Sequence, residues 1–354
     1  MHSYHGKSDI TFEAQGGCLK AWFIGSYGGP EVLKFGQATE PVAGDHDVLV
    51  EIKAASVNPI DIRVRKGQLK RLVKYSFPLV MGTDLAGIVI AKGAAVSRFQ
   101  VGDAVYARPN RRRIGTFAER IAVHESEVAL KPTSLSFEEA AAMPLVALTS
   151  LQAMVDLANI QPGQKVLIHA GAGGIGTFAV QLAKHLGAYV VATASKPKHA
   201  LVLSLGANEV IDYQQQDFSQ MLEDFDMVFD TLGGDTLLNS FRVLRQGGMV
   251  VSVAGPPDLI LAREWPMPLY LRLGIRAISW KVRYVARKYQ CGYRFMLMRP
   301  CGLQLAQISA LIDAGVIRPV IDRIYPFERV NEAIAYAETG RASGKIIVSH
   351  QSEC

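Results

Sequence analysis

The sequence is short of the residues that build stapled or metal-held folds. Its 354 residues include four cysteines, Cys18, Cys291, Cys301 and Cys354, and no CxxC pair. That is too few for a disulfide scaffold, and the usual structural zinc spacing is missing. A reducing compartment is the default expectation. Long hydrophobic runs are also lacking. The charge-free stretch Ala140–Val155, between Glu139 and Asp156, holds Pro144, Thr149, Ser150 and Gln152. It is shorter than the about 18 residues that span a bilayer, and it reads as a buried helix or an interdomain segment. The first seventeen residues have no arginine and no apolar run, and they carry Asp9 and Glu13. Neither a secretory signal nor a mitochondrial transit peptide is expected, which leaves a cytoplasmic protein. Acid is missing from two long stretches. No Asp or Glu occurs from Leu157 to Asn208, and none between Trp265 and Ile312, which holds eight arginines and lysines.

What is present is a globular composition. Apolar residues make up 49% and charged residues 20%, with a net charge of +6. Wholesale disorder is excluded, and the length suggests two domains. The mild positive charge permits an anionic ligand without requiring one.

Two textures divide the chain. From about Leu19 to Lys131 short strand patterns alternate with turns. Val48, Val50 and Ile52 share one face, Leu85–Ala91 and Ala104–Ala107 are further strand candidates, and Gly102-Asp103 marks a turn. Such spacing suggests a sandwich or barrel. From about Pro162 strands alternate with helices: a strand over Lys165–Ala170, a helix over Thr177–Leu186, a strand over Tyr189–Thr193 and a helix over Lys198–Leu205. Strands over Glu209–Asp212, Asp226–Asp230 and Met249–Val253 follow. This alternation predicts a parallel sheet covered on both faces.

Gly171-Ala172-Gly173-Gly174-Ile175-Gly176 fits G-x-G-x-x-G between a strand and a periodic helix. That context makes it a dinucleotide fingerprint. The first glycine makes the turn, the second admits the pyrophosphate, and the third lets the helix pack against the strand. Helix N-terminal amides then favour the anion. An NAD site usually places a carboxylate about 20 residues on, at the ribose 2′-hydroxyl. Here Ser195, Lys196, Lys198 and His199 stand there instead. Lysine and hydroxyl groups stabilise a 2′-phosphate, so the expected cofactor is NADPH. The alternative is that these lysines only form a solvated helix start.

The run Val166–Thr193, the segment Asn58-Pro59-Ile60-Asp61 with Gly67, and Met81-Gly82-Thr83-Asp84-Leu85-Ala86-Gly87 together resemble the medium-chain dehydrogenase/reductase superfamily. Within it the likeness is to the zinc-independent quinone oxidoreductase and enone reductase branch, and it extends from about Leu19 to His350. The resemblance implies an α/β protein: a GroES-like β-rich catalytic domain (18–146 and 304–354) and a doubly wound Rossmann domain (147–303). A basic and aromatic insert would occupy 256–300, and residues 1–17 would form a flexible extension. The active site would lie in the interdomain cleft. The superfamily's zinc enzymes carry Cys near position 56 and a GHE motif near 82–84; this chain has Ser56 and Gly82-Thr83-Asp84. No catalytic metal is expected.

The resemblance also implies site residues. Asn58 would stand near the nicotinamide and donate to a developing oxyanion, unless it is only an Asn-Pro turn. Arg63 departs from the common pattern. It would either hold an enolate or quinone oxygen or sit on the surface with Arg65 and Lys66. Thr149 would approach the nicotinamide carboxamide, Tyr213 the adenosine, Gly255 the cofactor by close backbone approach, and Gly344 and Lys345 the NADP. No proton donor stands out, and solvent is the default.

The expected activity is NADPH-dependent, zinc-independent reduction of quinones or α,β-unsaturated carbonyls. Two alternatives remain: an NADPH-regulated nucleic-acid-binding or structural protein of the zeta-crystallin type, and an enoyl-thioester reductase. The insert, with Trp265, Trp280, Tyr284, Tyr289 and Phe295, reads as a helical cover with a solvated basic face. It would otherwise act as a lid, or meet a membrane surface or single-stranded nucleic acid. A homodimer is expected through an edge strand at Leu273–Ser279.

Overall fold

The computed structural model describes residues 17–70, 73–264 and 268–350. The expected extension (all but Gly17), Trp265 and residues 351–354 lie outside them.

The first part of the chain is β-rich. Its strands are β1 (Cys18–Ile24), β2 (Leu33–Thr39), β3 (Asp47–Val57), β4 (Leu79–Val80), β5 (Asp84–Lys92), β6 (Ala104–Ala107), β7 (Arg120–His124) and β8 (Val128–Leu130). The second part carries β9 (Lys165–Ile168), β10 (Tyr189–Ala194), β11 (Glu209–Asp212), β12 (Phe225–Asp230), β13 (Leu244–Ser252) and β14 (Gly292–Phe295). The chain then returns to the first part with β15 (Ile321–Pro326) and β16 (Lys345–Ser349).

Three sheets result. A small one has the order β2-β1-β4. A seven-stranded one runs β15-β16-β3-β5-β6-β8, with β7 beside β3. The third is parallel, in the order β11-β10-β9-β12-β13-β14. The reversal of order beside β9 creates the crevice where such sheets bind ligands. This is the GroES-like plus Rossmann architecture.

Side-chain alternation sets the register of β3. Val48, Val50 and Ile52 are buried while Leu49 and Glu51 are half-buried. A shift of one residue would turn that apolar set to the other face. Antiparallel pairing of β16 with β3 brings Ile346 opposite Val57. The C-terminal strand therefore ends up beside Asn58, far from it in sequence. In the parallel sheet, helix Gly174–His185 packs Phe178, Ala179, Leu182 and Ala183 into the core. Each fully buried Phe or Leu side chain contributes about 1.5–3 kcal/mol.

The segment Leu273–Ser279 is not a strand. It belongs to helix Leu269–Ile278, followed by helix Trp280–Lys288. Leu273, Ile275 and Ala277 alternate like a strand, but Leu271, Ile275 and Ile278 hold helical spacing over the longer window. The Ser279 N–H donates to Ile275 O at 3.0 Å, as a helix requires. The edge of the sheet is β14, paired with β13 alone. The two helices leave Leu269, Tyr270, Leu273, Ile278, Trp280 and Tyr284 exposed.

Candidate active site

The glycine loop follows β9 and leads into helix Gly174–His185, whose N-cap is Gly173. Its glycines are required by contact. A Cβ on Gly176 would lie 2.2 Å from Ala170 O, and one on Gly171 would lie 2.8 Å from Ala192 Cβ. Both distances are shorter than real Cβ contacts. Helix and strand therefore touch through backbone, and the first-turn amides of such a helix are the groups that take a pyrophosphate. The residues present thus fit a dinucleotide.

The ribose end lies beyond β10. Ser195 is half-buried there, and Lys198 Nζ donates to the carbonyls of Arg341 (2.9 Å) and Ala342 (3.0 Å). This brings Arg341, which sequence reasoning passed over, to the same corner. Tyr213 is 59% exposed just past β11. Gly344 has φ +96° and forms a bridge with Gly173, and its N–H donates to Ala172 O at 2.9 Å. The returning chain is thereby pinned to the glycine loop. Gly255 is explained differently. A Cβ there would meet Tyr293 Oη at 2.5 Å and Leu237 Cδ2 at 2.6 Å. Its close approach is to protein side chains.

A cleft of about 240 Å³ runs between the two parts. Thr149, Ile175 and Val253–Ala254 line it on the nucleotide side, and Phe295–Met298 close one wall. Asn58, Arg63, Tyr75, Thr83, Arg108 and Arg111 line it on the other side. Thr149 Oγ1 donates to Leu145 O at 2.5 Å inside helix Pro144–Leu151. Arg63 lies at this wall and is also exposed to solvent, like Lys66. Its expected surface companion Arg65 is instead buried, 2.8 Å from Glu338.

Beneath the cleft lies a buried polar network. Asn58 Nδ2 donates to Asp84 Oδ2 (2.9 Å), Thr83 Oγ1 (3.3 Å) and Ser56 O (3.4 Å). Asn58 Oδ1 accepts from the Lys345 ammonium. Ser56 Oγ donates to Asp84 Oδ2 at 2.9 Å, and Leu145 N–H donates to Asp84 Oδ1 at 3.0 Å. Lys345 Nζ is 3.7 Å from Asp84 Oδ2. Asp61 accepts from Asn58 N–H (2.8 Å) and from Thr83 Oγ1 (3.0 Å). Burial nevertheless pushes its carboxyl up to about 7. Burial likewise pulls the Lys345 ammonium below the ordinary lysine range. Lys345, expected at the NADP, thus holds Asn58 with its ammonium while its Cδ lies 3.0 Å from where a Cβ on Gly174 of the glycine loop would stand.

A zinc cage does not fit here. Ser56 and Asp84 are bonded to each other, and the Lys345 ammonium already takes the place of a cation beside Asp84. The Ser56 hydroxyl is also a poor substitute for a thiolate.

Sequence reasoning missed Tyr75, Arg108 and Arg111. Burial raises the Tyr75 hydroxyl to about 12, so it stays a phenol and a hydrogen-bond donor. No spacing rule connects these three residues; only the fold brings them together.

A GroES-like domain joined to a Rossmann sheet, with a cleft between them, defines a two-domain nucleotide-dependent oxidoreductase. Residues 44–133 match the alcohol dehydrogenase GroES-like domain, and residues 205–348 match the zinc-binding dehydrogenase domain. The chain is 35% identical to mouse (Mus musculus) NAD(P)H oxidoreductase RTN4IP1, mitochondrial, over 96% of this chain and 91% of that one. It is 33% identical to the NADPH-dependent alkenal/one oxidoreductase, chloroplastic, of Arabidopsis thaliana, over 93% and 79%. The quinone oxidoreductase structure from Coxiella burnetii superposes with a TM-score of 0.81 at 31% identity, covering 95% of this chain and all of that one. The chain belongs to the zinc-independent quinone oxidoreductase branch of the medium-chain dehydrogenase/reductase superfamily. No helix among the described residues is long and apolar enough to cross a membrane.

Proposed function

We propose that the protein reduces the C=C bond of α,β-unsaturated carbonyls, or a quinone, with NADPH. The cleft carries this reading. It joins the glycine-loop residue Ile175 and Thr149 to Asn58 and Arg63 across a space lined mainly by apolar side chains, with Tyr75, Thr83, Arg108 and Arg111 on the catalytic side. When bound, NADPH supplies the hydride. The chain supplies the rest. The glycine loop holds the pyrophosphate, and Ser195 with Lys198 meets the 2′-phosphate. The apolar walls exclude water and strengthen every electrostatic contact inside. Asn58 keeps its 2.9 Å bond to Asp84 and exchanges the weaker 3.3 Å contact to Thr83 for the developing oxyanion. Lys345, on the carbonyl oxygen of the same amide, polarises it and strengthens it as a donor. Arg63 adds a permanent charge at the cleft wall. Solvent delivers the proton. A homodimer paired through the free edge of β14 belongs to the same reading.

Absorbance at the nicotinamide band tests it, with NADPH and NADH offered against matched enone, quinone and enoyl-CoA acceptors and a chelator control. The expected result is NADPH-preferring turnover of an enone or quinone that resists the chelator. Tight NADPH binding with no turnover of any acceptor would overturn the reading.

A further inference from the structure

The catalytic-domain side of the cleft carries more positive charge than hydride transfer needs. Among the described residues three arginines line the cleft, Arg63, Arg108 and Arg111, and no Asp or Glu does. Arg108 is the unusual one. It is only 5% exposed, and its Nε has no hydrogen-bond partner. Its Nη1 donates to the neighbouring Pro109 carbonyl. The carboxylates that act on it electrostatically are Asp84, Asp61 and Glu127. All three are engaged elsewhere: Asp84 and Asp61 in the network beneath the cleft, Glu127 on Asn110 N and Nδ2 at 2.9 Å each. Arg111 lies close enough for its charge and that of Arg108 to repel. The Tyr75 hydroxyl joins them at the wall. A buried guanidinium with an unused donor, beside a second one that repels it, is a poor arrangement for stability. Arg108 lines the cleft although its Nε is itself shielded from solvent, and the paired charges there suit an anion entering from the cleft.

We propose that Arg108, with Arg111 and Tyr75, forms a subsite for a carboxylate carried by the acceptor itself, so that the substrate is a compact enone or quinone acid. This rests on the reductase reading and names its substrate class. The anion would complete Arg108, separate the two guanidinium charges and fix the reactive carbonyl against Asn58.

The test uses the NADPH-loaded enzyme and one matched pair. One member is a vinyl ketone with a carboxylate three methylenes from the carbonyl; the other is its methyl ester. The expected result is at least a tenfold lower KM for the acid, reduced to near parity in Arg108→Gln and in Arg111→Gln. Arg111→Gln is included because loss of Arg108 bears more on folding. NADPH binding unchanged in Arg111→Gln confirms that the nucleotide half is intact. Equal KM for acid and ester in the unaltered enzyme overturns the proposal. Binding of the saturated keto acid to the NADP-loaded protein is measured separately by calorimetry. If neither ketone turns over, the enone arm of the reductase reading falls, and the subsite is still decided. Keto acid binding at least tenfold tighter than its ester supports it, and equal binding overturns it.

Discussion

The two sides of the cleft are built in opposite ways. The nucleotide side works through missing atoms: at Gly171 and Gly176 a single Cβ would strike strand or backbone. The catalytic side works through charged atoms placed where charge is costly, with Asp61, Asp84, Arg108 and Lys345 all buried. One site is specified by backbone geometry and contiguous residues. The other is specified by electrostatics among residues far apart in sequence. The first should fail abruptly when altered, and the second in graded, separable ways.

The largest effect is expected from Gly176→Val. Its Cβ would overlap Ala170 O at 2.2 Å, and backbone on both sides leaves no flexible group to yield. NADPH affinity, read by fluorescence titration, should fall at least a hundredfold or the protein should not fold. Near-normal affinity would show that the loop is not the pyrophosphate cradle. Next comes Lys345→Met, which removes the ammonium from Asn58 and Asp84 while keeping the bulk of the side chain. Catalytic-side preorganisation of this kind is worth about ten- to a hundredfold in kcat. NADPH affinity should change little. If affinity drops and kcat does not, Lys345 serves the cofactor after all.

That contrast also explains what could be read from the chain alone. The glycine loop was legible because its requirement is local. G-x-G-x-x-G needs only its own strand and helix, and the absence of acid from Leu157 to Asn208 separates NADPH from NAD without any tertiary information. The catalytic side was partly legible. Asn58 was expected there and lines the cleft; Arg63, read either as a cleft or as a surface residue, lines it and is exposed. Asp61 and Asp84 stood inside quoted motifs, but nothing in the sequence says that both carboxylates are buried. Arg108 and Arg111 sit in a run with Arg112 and Arg113 that looks like a solvated basic turn. Only the fold shows Arg108 facing inward while Arg113 pairs with Asp47. Lys345 was expected at the nucleotide; its side chain runs past the glycine loop, 3.0 Å from where a Cβ on Gly174 would stand, and ends on Asn58 because β16 pairs with β3. The edge of the parallel sheet was misread, because strand and helix periods overlap over short apolar runs.

A smaller effect concerns pH. The Asp61 carboxyl, ordinarily at 3.8, lies at about 7 in the folded protein because burial outweighs the bonds from Asn58 and Thr83. The folded state therefore holds a proton that the unfolded state has lost between those two values. Stability from this group is greatest at the acid end and falls as pH rises towards about 7. Asp61→Asn should flatten that part of the Tm–pH profile while keeping the site's shape. An unchanged slope would mean that another buried group of the network carries the proton.

The smallest expected effect falls on the nucleotide side, at its one electrostatic element. Lys198 is half-buried and already bonded to the carbonyls of Arg341 and Ala342. It therefore meets a 2′-phosphate as one contact among several, partly screened by solvent. Lys198→Ala should lower the preference for NADPH over NADH by about tenfold, the scale of one charge-assisted hydrogen bond. kcat with saturating NADPH should hold. If the preference survives, Arg341 and Lys196 are the further cations at that corner, and combining their removal with Lys198→Ala should abolish it. If kcat falls instead, the bond from Lys198 to the segment before Gly344 matters more than its charge. The two sides of the cleft would then be coupled through the chain that joins Gly344 to Lys345.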